Sequence, residues 1–247
     1  MKTVAFIPIK TNNERLPGKN TKTFFDNTPL MHFIQRSLLN TCGIAEIYVF
    51  CSDERIRDYC LDGVHFMLRG KELDTAQTTP ADIIRAFMAK VRSDIYIAAH
   101  ATTPFVQSSA IEDCLHAILH NGYDSSFTAN RIRKLLWNEK RQAYNFNPAN
   151  VPRTQDLPPL FAEVGAAYVF RREVFETTGR RIGINPYICE VGDIEATDID
   201  CYEDFEMADL IYKEIIAKRK HLPPRKSSRG FTLFFCVRTS YGEVRVA

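Results

Sequence analysis

Val4-Ala5-Phe6-Ile7-Pro8-Ile9 runs directly into Lys10-Thr11-Asn12-Asn13-Glu14-Arg15-Leu16-Pro17-Gly18-Lys19-Asn20, and this junction decides how the chain is read. The apolar run has the length of a buried strand, and the polar loop after it holds Lys10, Arg15 and Lys19 together with a Pro-Gly turn. In open α/β folds ligands sit beyond the carboxyl ends of the strands, where turn N–H groups and basic side chains can hold a phosphate chain. The loop is not a Walker P-loop, because Asn20 follows Gly18-Lys19 and no glycine stands five positions before Gly18. Nor is it a Gly-x-Gly-x-x-Gly turn, having a single glycine. Taken alone, it fits either a phosphate site or an ordinary solvated loop.

The pattern downstream is strand and helix in alternation. Residues 30–39 carry apolar side chains at helical spacing, 44–51 read as a strand, and Ser52-Asp53 caps a helix over 54–60. Residues 64–68 form a further strand, Thr79-Pro80-Ala81-Asp82 opens a helix to about 91, and 94–99 suit a central parallel strand. Ser108-Ser109-Ala110-Ile111-Glu112 reads as a capped helix start, and Asn121-Gly122 as its end. A strand over 125–129 precedes a polar stretch with four prolines, residues 130–159, expected to be an arm rather than core. Strand 162–170, a short helix over 173–178, extended chain over 185–191 and a helix over 202–218 complete a doubly wound α/β domain. Phe205, Ala208, Leu210, Ile211 and Ile215 are the expected apolar stripe of that last helix.

Composition narrows the partners. The chain has 247 residues, 45% hydrophobic and 25% charged, with a formal net charge of +2. That balance suits a small acidic ligand in a local basic pocket and gives no sign of nucleic acid. No apolar stretch reaches the eighteen or so residues of a membrane span and no signal-peptide pattern opens the chain, so no membrane partner and a cytoplasmic location are expected. Seven scattered cysteines without a Cys-x-x-Cys pair read as reduced thiols. Residues 219–247 form a basic linker and a β-prone tail to which the sequence assigns no role.

Asp198-Ile199-Asp200 is the second informative stretch. In extended chain its two carboxylates fall on one side, about 7 Å apart, within reach of one hard cation such as Mg²⁺. The competing reading has Asp200 or Cys201 capping the next helix and Asp198 solvated. Arg69, after a strand, is either a third ligand-binding cation or one half of a surface salt bridge. His116 and His120 have the spacing of a metal pair without an obvious third ligand. His100 stands where strand 94–99 gives way to Ala101-Thr102-Thr103-Pro104, a position from which it could serve as a general base.

These pieces in order, Ile7-Pro8-Ile9-Lys10 with Arg15-Leu16-Pro17-Gly18-Lys19-Asn20, Phe66-Met67-Leu68-Arg69 with Glu72-Leu73, Thr102-Thr103-Pro104, and Thr197-Asp198-Ile199-Asp200 before Glu203-Asp204-Phe205-Glu206, resemble the acylneuraminate cytidylyltransferase family. The resemblance spans residues 3–217. It implies a Rossmann-like nucleotidyltransferase fold, a domain over 1–218 with a mixed, mainly parallel sheet, and an inserted dimerisation arm over 130–159 that makes the protein a homodimer. It implies CTP and an acidic, sialic-acid-like sugar as substrates, a CMP-sugar and pyrophosphate as products, and Mg²⁺ as cofactor. By position, Lys10, Asn13 and Lys19 hold the triphosphate, Arg69 and His100 lie on the nucleotide side, and Asp198 and Asp200 bind the metal. Lys10, Lys19 and Asp200 are the implied catalytic groups, and Lys134, Arg153 and Glu163 the implied sugar-acid contacts. The chain departs from the family at Lys10, Asn13, His100-Ala101 and Val106, and at Ala162 and Val164, where the pattern has Arg and Asn. An acceptor other than N-acetylneuraminate, a sugar phosphate or phosphonate acceptor, and a non-catalytic nucleotide-binding relative are the alternatives that these departures leave.

Overall fold

The computed structural model describes residues 1–219 and the backbone of 235–239 and 242–246. Residues 4 to 9 are a strand buried on both faces: Ala5, Ile7 and Ile9 point into one apolar cluster, Val4 and Phe6 into another. Such a strand has room only at the centre of a sheet covered on both sides. It is β1 (Thr3–Ile9), pairing in parallel with β2 (Glu46–Cys51) on one side and β4 (Ile95–Ala99) on the other. With β3 (His65–Leu68), β5 (Ser125–Ile132), β6 (Leu160–Arg171) and β7 (Pro186–Val191) they form one mixed sheet, ordered β3-β2-β1-β4-β6-β5-β7.

Helices α1 (Leu30–Leu39) and α3 (Ser108–His120) pack Met31, Ile34, Leu38, Ile111 and Cys114 on the Ile7 face. On the Phe6 face α2 (Pro80–Lys90) contributes Ile84, Phe87 and Met88, and α4 (Arg172–Thr178) contributes Phe175. Phe6 stacks on Phe87 with ring centroids 4.2 Å apart, and each ring so buried contributes roughly 1.5–3 kcal/mol. Thr79 closes a reciprocal capping box with Asp82 at the start of α2, as its sequence implies. The doubly wound reading therefore holds.

Several boundaries depart from the sequence expectation. Glu54–Tyr59 is a 3-10 helix rather than an α-helix, although Asp53 does cap it by accepting from Arg55 N–H. The start of α3 carries no side-chain cap from its own serines; the Gln107 N–H donates instead to Glu195 Oε1 at 3.0 Å, a carboxylate supplied from a distant loop to the positive end of the helix. Strand β4 is central but parallel on one side alone, because β6 runs antiparallel to it. Strands β5 and β6 extend past Ala129 in a ladder that reaches Ile132↔Leu160, so the excursion from the sheet is shorter than expected, residues 133–159. The final helix has the expected extent but not a uniform winding: α5 (Tyr202–Ile211) passes through a π-turn over Tyr212–Ile216 into a last helical turn, Ala217–Arg219. Its buried stripe is Phe205, Ala208 and Tyr212, and Leu210 is 56% exposed on the far side.

Phe235–Thr239 and Gly242–Val246 pair as an antiparallel hairpin within the tail; the linker 220–234 lies outside the described residues. No helix among the described residues is long and apolar enough to cross a membrane.

Candidate active site

The loop after β1 leaves the sheet at its topological switch point, since β2 lies on one side of β1 and β4 on the other. That is where a doubly wound sheet opens a crevice. Two hydrogen bonds and one left-handed turn fold the loop back. Asn20 Nδ2 donates to the Lys10 carbonyl at 2.9 Å, Lys19 N–H donates to the Leu16 carbonyl at 3.1 Å, and Gly18 turns the chain in the left-handed region at φ +68°. Leu16 is buried in the same apolar cluster as Ile199, so the basic loop and the acidic stretch 198–200 share one packing unit.

The two stretches meet through charge. Lys19 is 7% exposed, an unusual burial for a lysine. Its Nζ donates to the Ile199 carbonyl at 2.7 Å and pairs with Asp200 Oδ1 at 3.3 Å. Arg15 NH2 lies 3.1 Å from Asp200 Oδ2. Ile199 is wholly buried and its N–H donates to the Thr102 carbonyl at 2.9 Å, which leaves Asp198 and Asp200 on the opposite side of the chain. Thr103 Oγ1 donates to Asp198 Oδ1 at 3.5 Å. Cys201 takes the helix cap: Asp204 Oδ2 accepts from the N–H groups of Asp200 and Cys201, both at 2.9 Å. The cap thus leaves the Asp200 carboxylate to the cleft. Lys10, Asn13, Arg15, Lys19 and Asp200 line one opening of about 370 Å³.

An adjoining cavity of about 220 Å³ shares Lys10 and adds Arg69, Thr79, His100 and Arg181 to apolar walls. Arg69 is no surface salt bridge: it is 5% exposed, with NH2 donating to the Ile9 carbonyl at 3.1 Å and to Asp74 Oδ1 at 2.6 Å. Its Nε and NH1 are buried without a hydrogen-bond partner. Buried guanidinium donors left unmatched are costly, and a ligand with acceptors at that place removes the cost. Asn13 Oδ1 is likewise buried and unpartnered. Burial, and secondarily the charge of Arg181, hold His100 down to about 4. Its imidazole is therefore neutral near pH 7.

The remaining sequence candidates are scattered. Glu163 accepts from the Tyr168 hydroxyl at 2.8 Å, whereas Lys134 and Arg153 stand exposed on the arm and line neither opening; Arg153 pairs loosely with Asp156 at 3.9 Å. The rings of His116 and His120 lie 4.7 Å apart, but no group of three or more His, Cys, Asp or Glu among the described residues is placed to hold a metal. Thr103, Asp74 and Arg181 are contacts that motif reading does not single out as site residues. Arg181 lies in a turn with no recognisable signature, and Asp74 looks like any solvated acid in a polar stretch.

A family model described as cytidylyltransferase matches residues 4–216. N-acylneuraminate cytidylyltransferase A of Danio rerio is 26% identical over 214 residues, 83% of this chain and 49% of that protein. N-acylneuraminate cytidylyltransferase of Streptococcus agalactiae is 22% identical over 214 residues, 83% of this chain and 52% of the relative. The chain thus spans about half the length of these curated relatives. Among solved structures, CMP:2-keto-3-deoxy-manno-octonic acid synthetase complexed with CTP has the same fold, with a TM-score of 0.65 and 19% identity over 87% of this chain and 99% of that one.

Proposed function

Because this chain belongs to the cytidylyltransferase family, we propose that it activates an acidic sugar of the nonulosonic type with CTP, forming the CMP-sugar and releasing pyrophosphate. The observation that carries a ligand in this cleft is the two buried, unpartnered donors on Arg69, and the choice of CTP follows the family. The triphosphate lies along the neighbouring opening against Lys10, Asn13, Arg15 and Lys19, with Lys10 at the junction of the two.

The reaction is an in-line displacement. The acceptor hydroxyl oxygen bonds to the α-phosphorus, the bond to the β-phosphate oxygen breaks, and charge grows on the departing pyrophosphate. No covalent nucleophile is required, so the protein's work is to align two anions and offset that charge. Lys19 is suited to this because burial weakens the water screening around its ammonium. Asp198 and Asp200 fit Mg²⁺ as a donor set: two hard carboxylates on one side of the chain, the rest of the shell left to phosphate oxygens and water. Bound there, Mg²⁺ would supply Lewis-acid stabilisation of phosphate charge. Relatives named for N-acylneuraminate and the fold shared with a CMP-octonic acid synthetase support an acidic acceptor. Cytoplasmic action and a homodimer built through the arm belong to the same proposal.

Calorimetric titration with CTP, UTP, GTP and ATP, each with and without Mg²⁺, needs no knowledge of the acceptor. Selective CTP binding that Mg²⁺ strengthens is the expected result. Preference for another nucleotide would shift the reading to a sugar-phosphate nucleotidyltransferase, and absence of all binding would leave a non-catalytic relative.

A further inference from the structure

Arg181 follows α4 in the turn that Gly179 opens at φ +68°, and its side chain returns to the sheet. The guanidinium carbon stands 3.4 Å from the centroid of the Tyr168 ring on β6, and NH1 lies 3.5 Å from His100 Nε2 at the end of β4. The Tyr168 hydroxyl engages Glu163, and among the described residues no carboxylate comes within 4.0 Å of Arg181. A guanidinium carries five N–H donors in a fixed plane. Here one edge meets the imidazole, and the others have no protein acceptor among the described residues. Stacking on Tyr168 holds the plane in one orientation, which lowers the ordering cost when a ligand arrives.

Charge in the cavity points the same way. Arg181 lines it with Lys10 and Arg69; Asp74 pairs with Arg69, whereas Glu163 acts on Arg181 only at longer range, and no carboxylate among the described residues lies within 4.0 Å of Lys10 or Arg181. Lys10 also borders the opening assigned to the triphosphate, but Arg181 does not. One cation is therefore left over beside the nucleotide. We infer that Arg181 is a specificity-determining residue whose fork receives an anionic head group of the acceptor, a carboxylate or a phosphonate, two oxygens against two N–H groups. That the anion belongs to an acceptor rests on the cytidylyltransferase reading above; that an anion is taken rests on the geometry of Arg181 itself.

Isothermal titration of the full chain separates the two. Wild type, Arg181→Gln and Arg181→Lys are each titrated with CTP, then with N-acetylneuraminate, 3-deoxy-manno-octulosonate, 2-aminoethylphosphonate and inorganic phosphate. Support is a sugar acid or the phosphonate that binds wild type and binds Arg181→Gln at least about tenfold more weakly, with Arg181→Lys in between and a clearly smaller loss for CTP. The carboxylates against the phosphonate identify the head group. Equal anion binding by wild type and Arg181→Gln, binding of inorganic phosphate alone, or a CTP loss in step with the anion loss would overturn it. Should CTP fail to bind while an organic anion is still lost with Arg181→Gln, the cytidylyltransferase reading falls and the anion site stands.

Discussion

Asp200 divides one carboxylate between Lys19 at 3.3 Å and Arg15 at 3.1 Å. A triphosphate entering the cleft must compete with that carboxylate for the same cations, unless Mg²⁺ gives the carboxylate another partner. Asp200→Asn should therefore pull two measurements in opposite directions. CTP binding without Mg²⁺ should tighten by about two- to fivefold, because the two cations are released, while the strengthening by Mg²⁺ disappears and turnover with an acceptor falls roughly 100-fold. Titrations with and without Mg²⁺ read the first pair, and pyrophosphate release reads the last. Turnover at the wild-type rate would remove Asp200 from the metal site. Lys19 and Asp200 are legible in the sequence because each lies in a short stretch whose residue types already state the chemistry, and the fold only has to bring positions 181 apart into contact. Arg181 is not legible, since its meaning depends on a Tyr168 ring set beneath it by an antiparallel strand. Arg69 lies between these cases: its charge is evident, but its two orphaned donors are a product of burial.

At the scale of an element, α5 explains why the acid pair faces the basic loop. Phe205, Ala208 and Tyr212 pack on Phe24, Leu30 and Phe33, which follow that loop, in the cluster that also holds Leu16 and Ile199. Tyr212 adds direction by donating its hydroxyl to Asp26 Oδ2 at 2.7 Å. Burial pushes the Asp26 carboxyl up, but the bonds from Tyr212 and Thr28 outweigh it and hold the carboxyl below its ordinary 3.8. A depressed carboxyl stabilises the fold above the unfolded-state value and loses that stabilisation as pH falls through the folded one. Tyr212→Phe should thus cost about 1 kcal/mol at pH 7, the low end because the Asp26 side meets solvent, and the gap to wild type should narrow below about pH 4. Urea unfolding at both pH values measures this; a gap independent of pH would assign the loss to packing. Periodicity reveals α5 and Phe205, yet it marks Leu210 as core and passes over Tyr212, although Phe205, Ala208 and Tyr212 keep helical spacing, because Leu210 is apolar on the solvent side and Tyr212 carries a polar hydroxyl. Strand order is hidden as well, as β6 enters between β4 and β5 through pairings no local pattern encodes.

For the whole molecule, the arm is the part that leaves large apolar side chains exposed. It holds itself together locally: Tyr144 N–H donates to the Leu136 carbonyl at 2.8 Å, Leu136 N–H to Asn145 Oδ1 at 2.8 Å, and the Trp137 ring meets Phe146 at 5.3 Å. Even so, Trp137 is 58% exposed, Tyr144 66% and Val151 53%. Exposed apolar side chains of this kind are what an association surface presents, and in the proposed homodimer a second copy related by two-fold symmetry would cover them. Trp137 is the sole tryptophan of the chain, so its emission reports on the arm alone. Sedimentation at micromolar concentration should give a dimer with blue-shifted emission, and dilution should shift both towards monomer and red emission together. Tyr144→Glu, which keeps the reporter, should sediment as a monomer with red emission while retaining CTP affinity within about twofold, because the nucleotide openings are lined by other parts of the chain. A wild-type monomer whose emission is already red at every concentration would mean that the arm's apolar side serves something other than a second copy of this chain.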